Sequence, residues 1–221
     1  MNKEWSALNK TMQSQIRNKD TYKAGIETLF DLRNRLMQTI IYFKAWLCRE
    51  DFDAIPFINA NGYHNKTIAY SIWHIFRIED IVAHTLICED EQVFFAGNFQ
   101  ARINSPIITT GNELVKQQIG DFSRQLDLNE LYSYIFEVKE STEKIIKSLS
   151  YNELKRKISE DRKEHLKALN VVSIDENAVW LIDYWCGKDV RGLIQMPFSR
   201  HWIMHTKPVC VSITKYDPLQ L

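Results

Sequence analysis

The sequence predicts an all-α protein, a bundle of four principal helices with shorter accessory ones. Glycine and proline are scarce, 7 and 5 in 221 residues, too few for an all-β protein built on tight turns, and long stretches contain neither. Apolar residues in the long segments recur at steps of three and four, the period of a helix with one buried face. The pattern is cleanest where Leu128, Leu131, Ile135, Val138, Thr142, Ile145 and Leu149 alternate such steps.

Residues 4–17 predict a short polar helix, and residues 1–19 an N-terminal extension to a single domain spanning 1–221. From Asp20 to Glu50, Leu32, Leu36, Ile40, Phe43 and Leu47 mark an amphipathic helix. "DFDAIPFINANGYHN" is a connection, with Pro56 and Asn61-Gly62 as turn signals. Asn65 is placed to cap a helix from Lys66 to Cys88, with apolar positions at Ile68, Ile72, Ile75, Val82 and Leu86. A loop over "FFAGNFQARINSPIITTG" follows, then a short helix at 112–119 and a long one at 129–149. "YNELKRKISEDRKEHLKAL" continues as a charged helix with one thin apolar stripe. Asp175 is placed to cap a helix through Trp185, ended by Gly187. Pro197 stands near the start of the last helix, where its missing N–H costs little, and Phe198, Trp202, His205 and Val209 share one stripe of it.

Composition narrows the function. Lys+Arg and Asp+Glu are equal at 28 each, so net charge gives no pull toward nucleic acid or an anionic membrane. Lys155, Arg156 and Lys157 are flanked by Glu153 and Glu160 and predict a solvated helix face. Cys48, Cys88, Cys186 and Cys210 form no CxxC pair and suggest neither a zinc knuckle nor a disulfide framework. No apolar signal-peptide core or bilayer-length run is present, so the expected location is the reducing cytoplasm, with free thiols. Phe94, Phe95 and Phe99 lie in a long connection that one bundle is not expected to bury, which with the family resemblance given below motivates a homodimer.

The chemistry concentrates in histidines. "RHWIMHTKP" places His201 and His205 four residues apart, on one helix face and separated by roughly 6 Å of rise, so two imidazoles can converge on one ion. Both fall on the inward side of their helix, where buried ring nitrogens need partners. A third ligand is expected from another helix facing the same core, and His74 in "TIAYSIWHIFRIED" is the best placed. Three histidines leave a coordination position open, as in catalytic zinc sites. Tyr70 and Ser71 are candidates to accept the outer N–H of a ligating ring. The same spacing also suits core histidines bonded to backbone or tyrosine. His84, with Asp80 at i−4, predicts a surface contact, with metal binding by the pair as the alternative; His165 is expected partly exposed, and His64 sits in a loop before a helix, where an outer contact to the site is open to it.

Absent motifs discriminate further. There is no HExxH, no Glu three residues before any histidine, no GxSxG, no GxxxxGK[ST] and no GxGxxG. Cys210, five residues beyond His205, points away from the pair.

The chain resembles the DinB/YfiT-like superfamily of bacterial four-helix-bundle metalloproteins over nearly its whole length. The resemblance is carried by "TIAYSIWHIFRIED", with its histidine in the second long helix, and by "WCGKDVRGLIQMPFSRHWIMH", with its HxxxH opening the last. In that family such a histidine and such a pair form a three-histidine metal site, which implies His74, His201 and His205 as ligands. Members with assigned reactions look like thiol-dependent transferases or isomerases, which implies a small electrophile and a low-molecular-weight thiol as partners. The chain departs from the family in "TKPVCVSI", where Pro208 is expected to kink or end the last helix.

The expectation is a metal-dependent transferase or hydrolase. Histidine ligands suit zinc, nickel, iron and copper alike; a divalent zinc or nickel ion is carried forward, with iron as an alternative. Three neutral imidazoles leave the ion's charge intact, so it can lower the pKa of a bound water to about 7 or hold a thiol as thiolate. Tyr70 is a candidate proton donor, and Arg200 or Arg77 a candidate for an anionic substrate group; Glu79 and Asp80 project to other sides of the helix. The alternative is a non-enzymatic helical protein that binds metal structurally or dimerises. The two part on whether the fourth ligand position opens to a cavity.

Overall fold

The computed structural model describes residues 2–55 and 65–216. No strand occurs among the described residues, only an isolated bridge between Lys157 and Asp189. The turn signals at Pro56 and Asn61-Gly62, and His64, lie outside them. No described helix is long and apolar enough to cross a membrane.

Helix α1 (Asn2–Gln15) is docked on α2 (Tyr22–Trp46), with Trp5 and Met12 buried and Ile16 just beyond them. At Gly25 a Cβ would stand 2.8 Å from the Ile16 nitrogen, so only glycine permits this approach. Leu32, Leu36, Ile40 and Phe43 form the predicted stripe of α2. The helix stops at Trp46, and α3 (Arg49–Asp53) is separate.

The predicted 66–88 helix is real but changes character. α4 (Ile68–Asp80) is buried on every side, as a central helix must be, and runs into a π-helical segment, Ile81–Cys88. Its cap is Thr67, whose hydroxyl accepts from the Tyr70 N–H at 3.0 Å; Asn65 stands two residues too early. Arg156 and Arg162 donate at 2.6 Å to the Ile87 and Leu86 carbonyls at the end of the π segment, so Arg156 is tied down rather than part of a solvated helix face.

Two short helices, α5 (Val93–Ala96) and α6 (Phe99–Ile103), occupy part of the predicted loop. The buried Asp80 carboxylate organises them: it accepts from the N–H of Val93 (2.8 Å) and Phe94 (2.9 Å) and from the Tyr134 hydroxyl (2.9 Å). Phe94 and Phe99 pack beside Tyr134, with centroids 5.6 and 5.2 Å away, and Phe95 is partly buried. These aromatics belong to the chain's own core, which removes the apolar surface that motivated a homodimer.

α7 (Gln117–Gln125) lies later than the predicted 112–119 helix, and α8 (Leu128–Ser148) matches its prediction closely. Asp127 caps α8 by accepting from the N–H of Asn129 and Glu130. The charged segment does not continue α8. The chain turns at Leu149, forms a 3-10 turn over Glu153–Lys155, and starts α9 (Glu160–Ala168) at the Ser159 cap. α10 (Trp180–Cys186) begins five residues after Asp175 and ends at Gly187 as predicted. α11 (Val190–Gln195) was not expected from the periodicity; Asp189 caps it by accepting from the Gly192 N–H at 2.7 Å. A π-helical turn, Met196–Arg200, leads into α12 (His201–Tyr216). Of the two expected effects of Pro208, ending the helix does not occur: proline removes one backbone donor, and the buried Val209 and Cys210 hold the next turn against the core.

α4 contacts α8 and α12, and α2 contacts the same two helices. A buried ionic cluster ties all four together. Arg33 of α2 donates through Nη1 and Nη2 to the Glu79 carboxylate at 2.8 Å each, and through Nε to Glu143 of α8 at 2.9 Å. The Trp202 indole N–H also donates to Glu79, at 2.7 Å, and Arg33 reaches the Phe198 carbonyl at 3.1 Å. The start of α12 is thereby locked in register against α4, and that register positions the histidines.

Candidate metal centre

His74 from α4 and His201 and His205 from α12 come together in the interior, at 3%, 7% and 4% exposure. Ring centroids lie 5.1 Å apart for His74–His201, 4.6 Å for His74–His205 and 4.5 Å for His201–His205. One ring nitrogen from each lies within 4.8 Å of the others. The trio predicted from spacing is therefore brought together, and among the described residues no other histidine, cysteine or carboxylate joins it.

His74 is oriented by backbone. Its Nδ1 lies 2.6 Å from the Thr110 carbonyl oxygen, which can only accept, so Nδ1 carries the proton and Nε2 keeps its lone pair for a ligand. The expected partners do other work: the Ser71 hydroxyl donates to the Thr67 carbonyl at 2.8 Å, and the Tyr70 hydroxyl to the Gly111 carbonyl at 2.9 Å. The Tyr70 ring stacks on His74, centroids 5.3 Å apart and planes 12° from parallel. Gly111 has φ +75°, and a Cβ there would meet Trp73 at 2.9 Å. One left-handed residue thus lets the loop lie close on α4 and present successive carbonyls to His74 and Tyr70.

The fit to a metal rests on two observations. Nδ1 of His201 is buried without a hydrogen-bond partner among the described residues, a vacancy that native interiors seldom leave. The three rings are also held neutral, the form that ligates. Burial lowers the His74 pKa from its ordinary 6.5 to about 4, opposed by the Thr110 carbonyl and assisted by the Lys66 cation. Burial, then the neighbouring histidines, holds His201 and His205 well below the ordinary value.

A depressed histidine pKa means that the unfolded chain binds more protons than the folded one between the two values. The stabilising contribution is complete above 6.5 and lost as pH falls from 6.5 toward 4. Chelator-treated protein is expected to lose stability over that window, each such histidine contributing up to about 1.4 kcal/mol per pH unit. Urea midpoints at stepped pH measure it; a flat profile from pH 7 to 4.5 would contradict the burial of the trio.

The histidines open onto a cavity of about 420 Å³, lined by Lys66, Tyr70, Trp180, Trp185, Met196 and others. Tyr70 lines it, but burial raises its phenol pKa far above the ordinary value and its hydroxyl is engaged by Gly111. Arg200 is exposed and does not line the cavity. Arg77 is buried elsewhere, donating to the Ile108 carbonyl at 3.0 Å with its guanidinium 4.4 Å from the Phe94 ring centre. Among the described residues the cation lining the cavity is Lys66, which no sequence pattern singled out. His84 is not a surface residue: it is 4% exposed, with Nδ1 2.5 Å from Asp90 and Nε2 3.1 Å from the Ser141 hydroxyl, because the π segment turns it inward. His165 is exposed.

No protein-family model matches this chain, and no curated protein matches it either.

Proposed function

We propose that this chain is a metal-dependent enzyme of the DinB/YfiT-like kind, a four-helix bundle that joins a low-molecular-weight thiol to a small electrophile. The observation that carries the reading is that the three buried histidines open onto a cavity and no protein side chain among the described residues closes the set. The contacts of α2 and α4 with both α8 and α12 support the bundle. Zinc or nickel suits three neutral imidazoles, with iron as an alternative. A bound divalent ion supplies positive charge that lowers the pKa of a coordinating water or thiol.

The chain's own residues account for the rest. Thr110 fixes the His74 tautomer, and the Tyr70 ring holds the plane of that imidazole. Leu181, Trp185, Met196 and Met204 give the cavity apolar walls that exclude water around a bound organic molecule. Holding both reactants there lowers the entropic cost of their meeting.

One observation favours the non-enzymatic alternative: no carboxylate is among the described residues lining the cavity. A screen of bacterial thiols against chlorinated, epoxide and quinone electrophiles separates the two. The metal-loaded protein is expected to exceed the uncatalysed rate by at least about tenfold for some pair, a modest fraction of what positioning can supply, and His201→Ala to fall to background. Equal rates for the two proteins across the panel would leave the non-enzymatic reading standing.

A further inference from the structure

We infer that the cavity beside the histidines recognises a small molecule with an apolar body and a single carboxylate, and that Lys66 is the residue that selects the carboxylate. The inference rests on taking this cavity as the substrate site.

Lys66 lines the cavity as a half-buried ammonium. Among the described residues no carboxylate pairs with it; its only close partner is the face of Tyr70, with Nζ 5.0 Å from the ring centre. Every other cation named around α4 is committed: Arg33 to Glu79 and Glu143, Arg77 to Asp80 and a carbonyl. A desolvated ammonium held only by an aromatic face gains most from an anion that enters with the ligand. The ammonium stands over the Tyr70 ring, which in turn stacks on His74, and it lines the same cavity as all three histidines. An anion held by Lys66 is therefore held close to the metal ligands.

The other lining residues define the rest of the molecule. Asn65 and Asn112 also line the cavity, and the buried side-chain oxygen of each, without a hydrogen-bond partner among the described residues, suits a donor group elsewhere on the ligand rather than its carboxylate. Ile78, Leu181, Trp185, Met196 and Met204 make the remaining wall apolar or aromatic. The volume of about 420 Å³ suits a small organic molecule, near the lower end of ligand pockets. Among the described lining residues one ammonium stands without an arginine and balances one negative charge, which favours a carboxylate over a doubly charged phosphate.

Titration calorimetry with 3-phenylpropionate and its uncharged amide tests the idea, on protein as purified and with its metal content measured. The acid is expected to bind at least about tenfold more tightly than the amide. Lys66→Met, which keeps the apolar stem over Tyr70, is expected to shrink that preference to twofold or less while metal content and amide affinity stay unchanged. Lys66→Arg is expected to keep most of it. Equal affinity for acid and amide, binding of neither at millimolar concentration, or a preference that survives Lys66→Met overturns the assignment. A Lys66-dependent preference in protein that binds no metal upholds the carboxylate subsite and sinks the metal reading. Bound metal with no such preference does the reverse.

Discussion

Replacing His201 by alanine is expected to drop bound divalent metal from about one ion per chain, as a single trio would hold, to less than about a tenth of that. Two imidazoles remain, and two ligands rarely hold an ion firmly against dilution. His201→Ala is the cleanest of the three single substitutions. The Nδ1 it deletes has no hydrogen-bond partner among the described residues, so no protein group is stranded. His74→Ala would instead strand the Thr110 carbonyl and remove the ring on which Tyr70 stacks, mixing a stability effect with loss of a ligand. Metal analysis of protein made without a histidine tag reads the stoichiometry, and circular dichroism checks that helix content holds. Full occupancy in the triple alanine variant would mean that the metal sits elsewhere.

Glu79→Ala is expected to cost about 3–5 kcal/mol of folding stability, the usual effect of removing one partner of a fully buried ion pair. Both side chains of the Arg33–Glu79 pair have zero exposure, so the guanidinium would keep a desolvated charge with only Glu143, itself partly exposed, to balance it. The Trp202 indole N–H would lose its acceptor as well. Against a total stability of about 5–15 kcal/mol that is a large share. Because Trp202 follows His201 directly, the loss is also expected to weaken metal binding without touching a ligand. Replacing Arg33 and Glu79 together by Met and Leu should restore part of the stability, since no fully buried charge is left: Glu143 is partly exposed and keeps Lys139 at 2.9 Å, and only the Trp202 N–H stays without its acceptor. Urea unfolding of the three proteins measures this; a loss below about 1 kcal/mol in Glu79→Ala would mean that water already reaches the pair.

The parts that could be seen in the sequence and the parts that could not differ in the kind of force involved. The long helices α2, α4 and α8 and the HxxxH pair follow from spacing along one chain, and spacing found them. Their partners are set by tertiary contact. Thr110 reaches His74 across 36 residues of sequence, and its contribution is a backbone carbonyl, which carries no side-chain signature. Asp80 is legible only as a helix residue and a partner for His84, although its carboxylate is what allows α5 to form inside an expected loop. Phe94 and Phe99 read as surplus aromatics because the helices that bury them are too short to show a period. Charge runs on beyond Leu149, which reads as one continuing helix, whereas the break there and the Ser159 cap that starts α9 are backbone features with little signature in composition. Lys66 was invisible for a different reason: its interest lies in the absence of a counter-charge, which only three-dimensional neighbours can reveal.

The π-helical turn Met196–Arg200 lets the centre tolerate a one-residue change in chain length just ahead of its histidines. Such a turn holds one residue more than the α-helical turn it replaces, and each residue of an α-helix advances the direction of its side chains by about 100°. Losing one residue, which turns this stretch into an α-helical turn, would leave the angle swept nearly unchanged, so His201 and His205 would keep their direction toward His74, whereas losing a second would rotate both by about 100°. Side-chain replacements here leave the phase of α12 intact as well. Natural variants that keep the trio should therefore carry five or four residues here and not three.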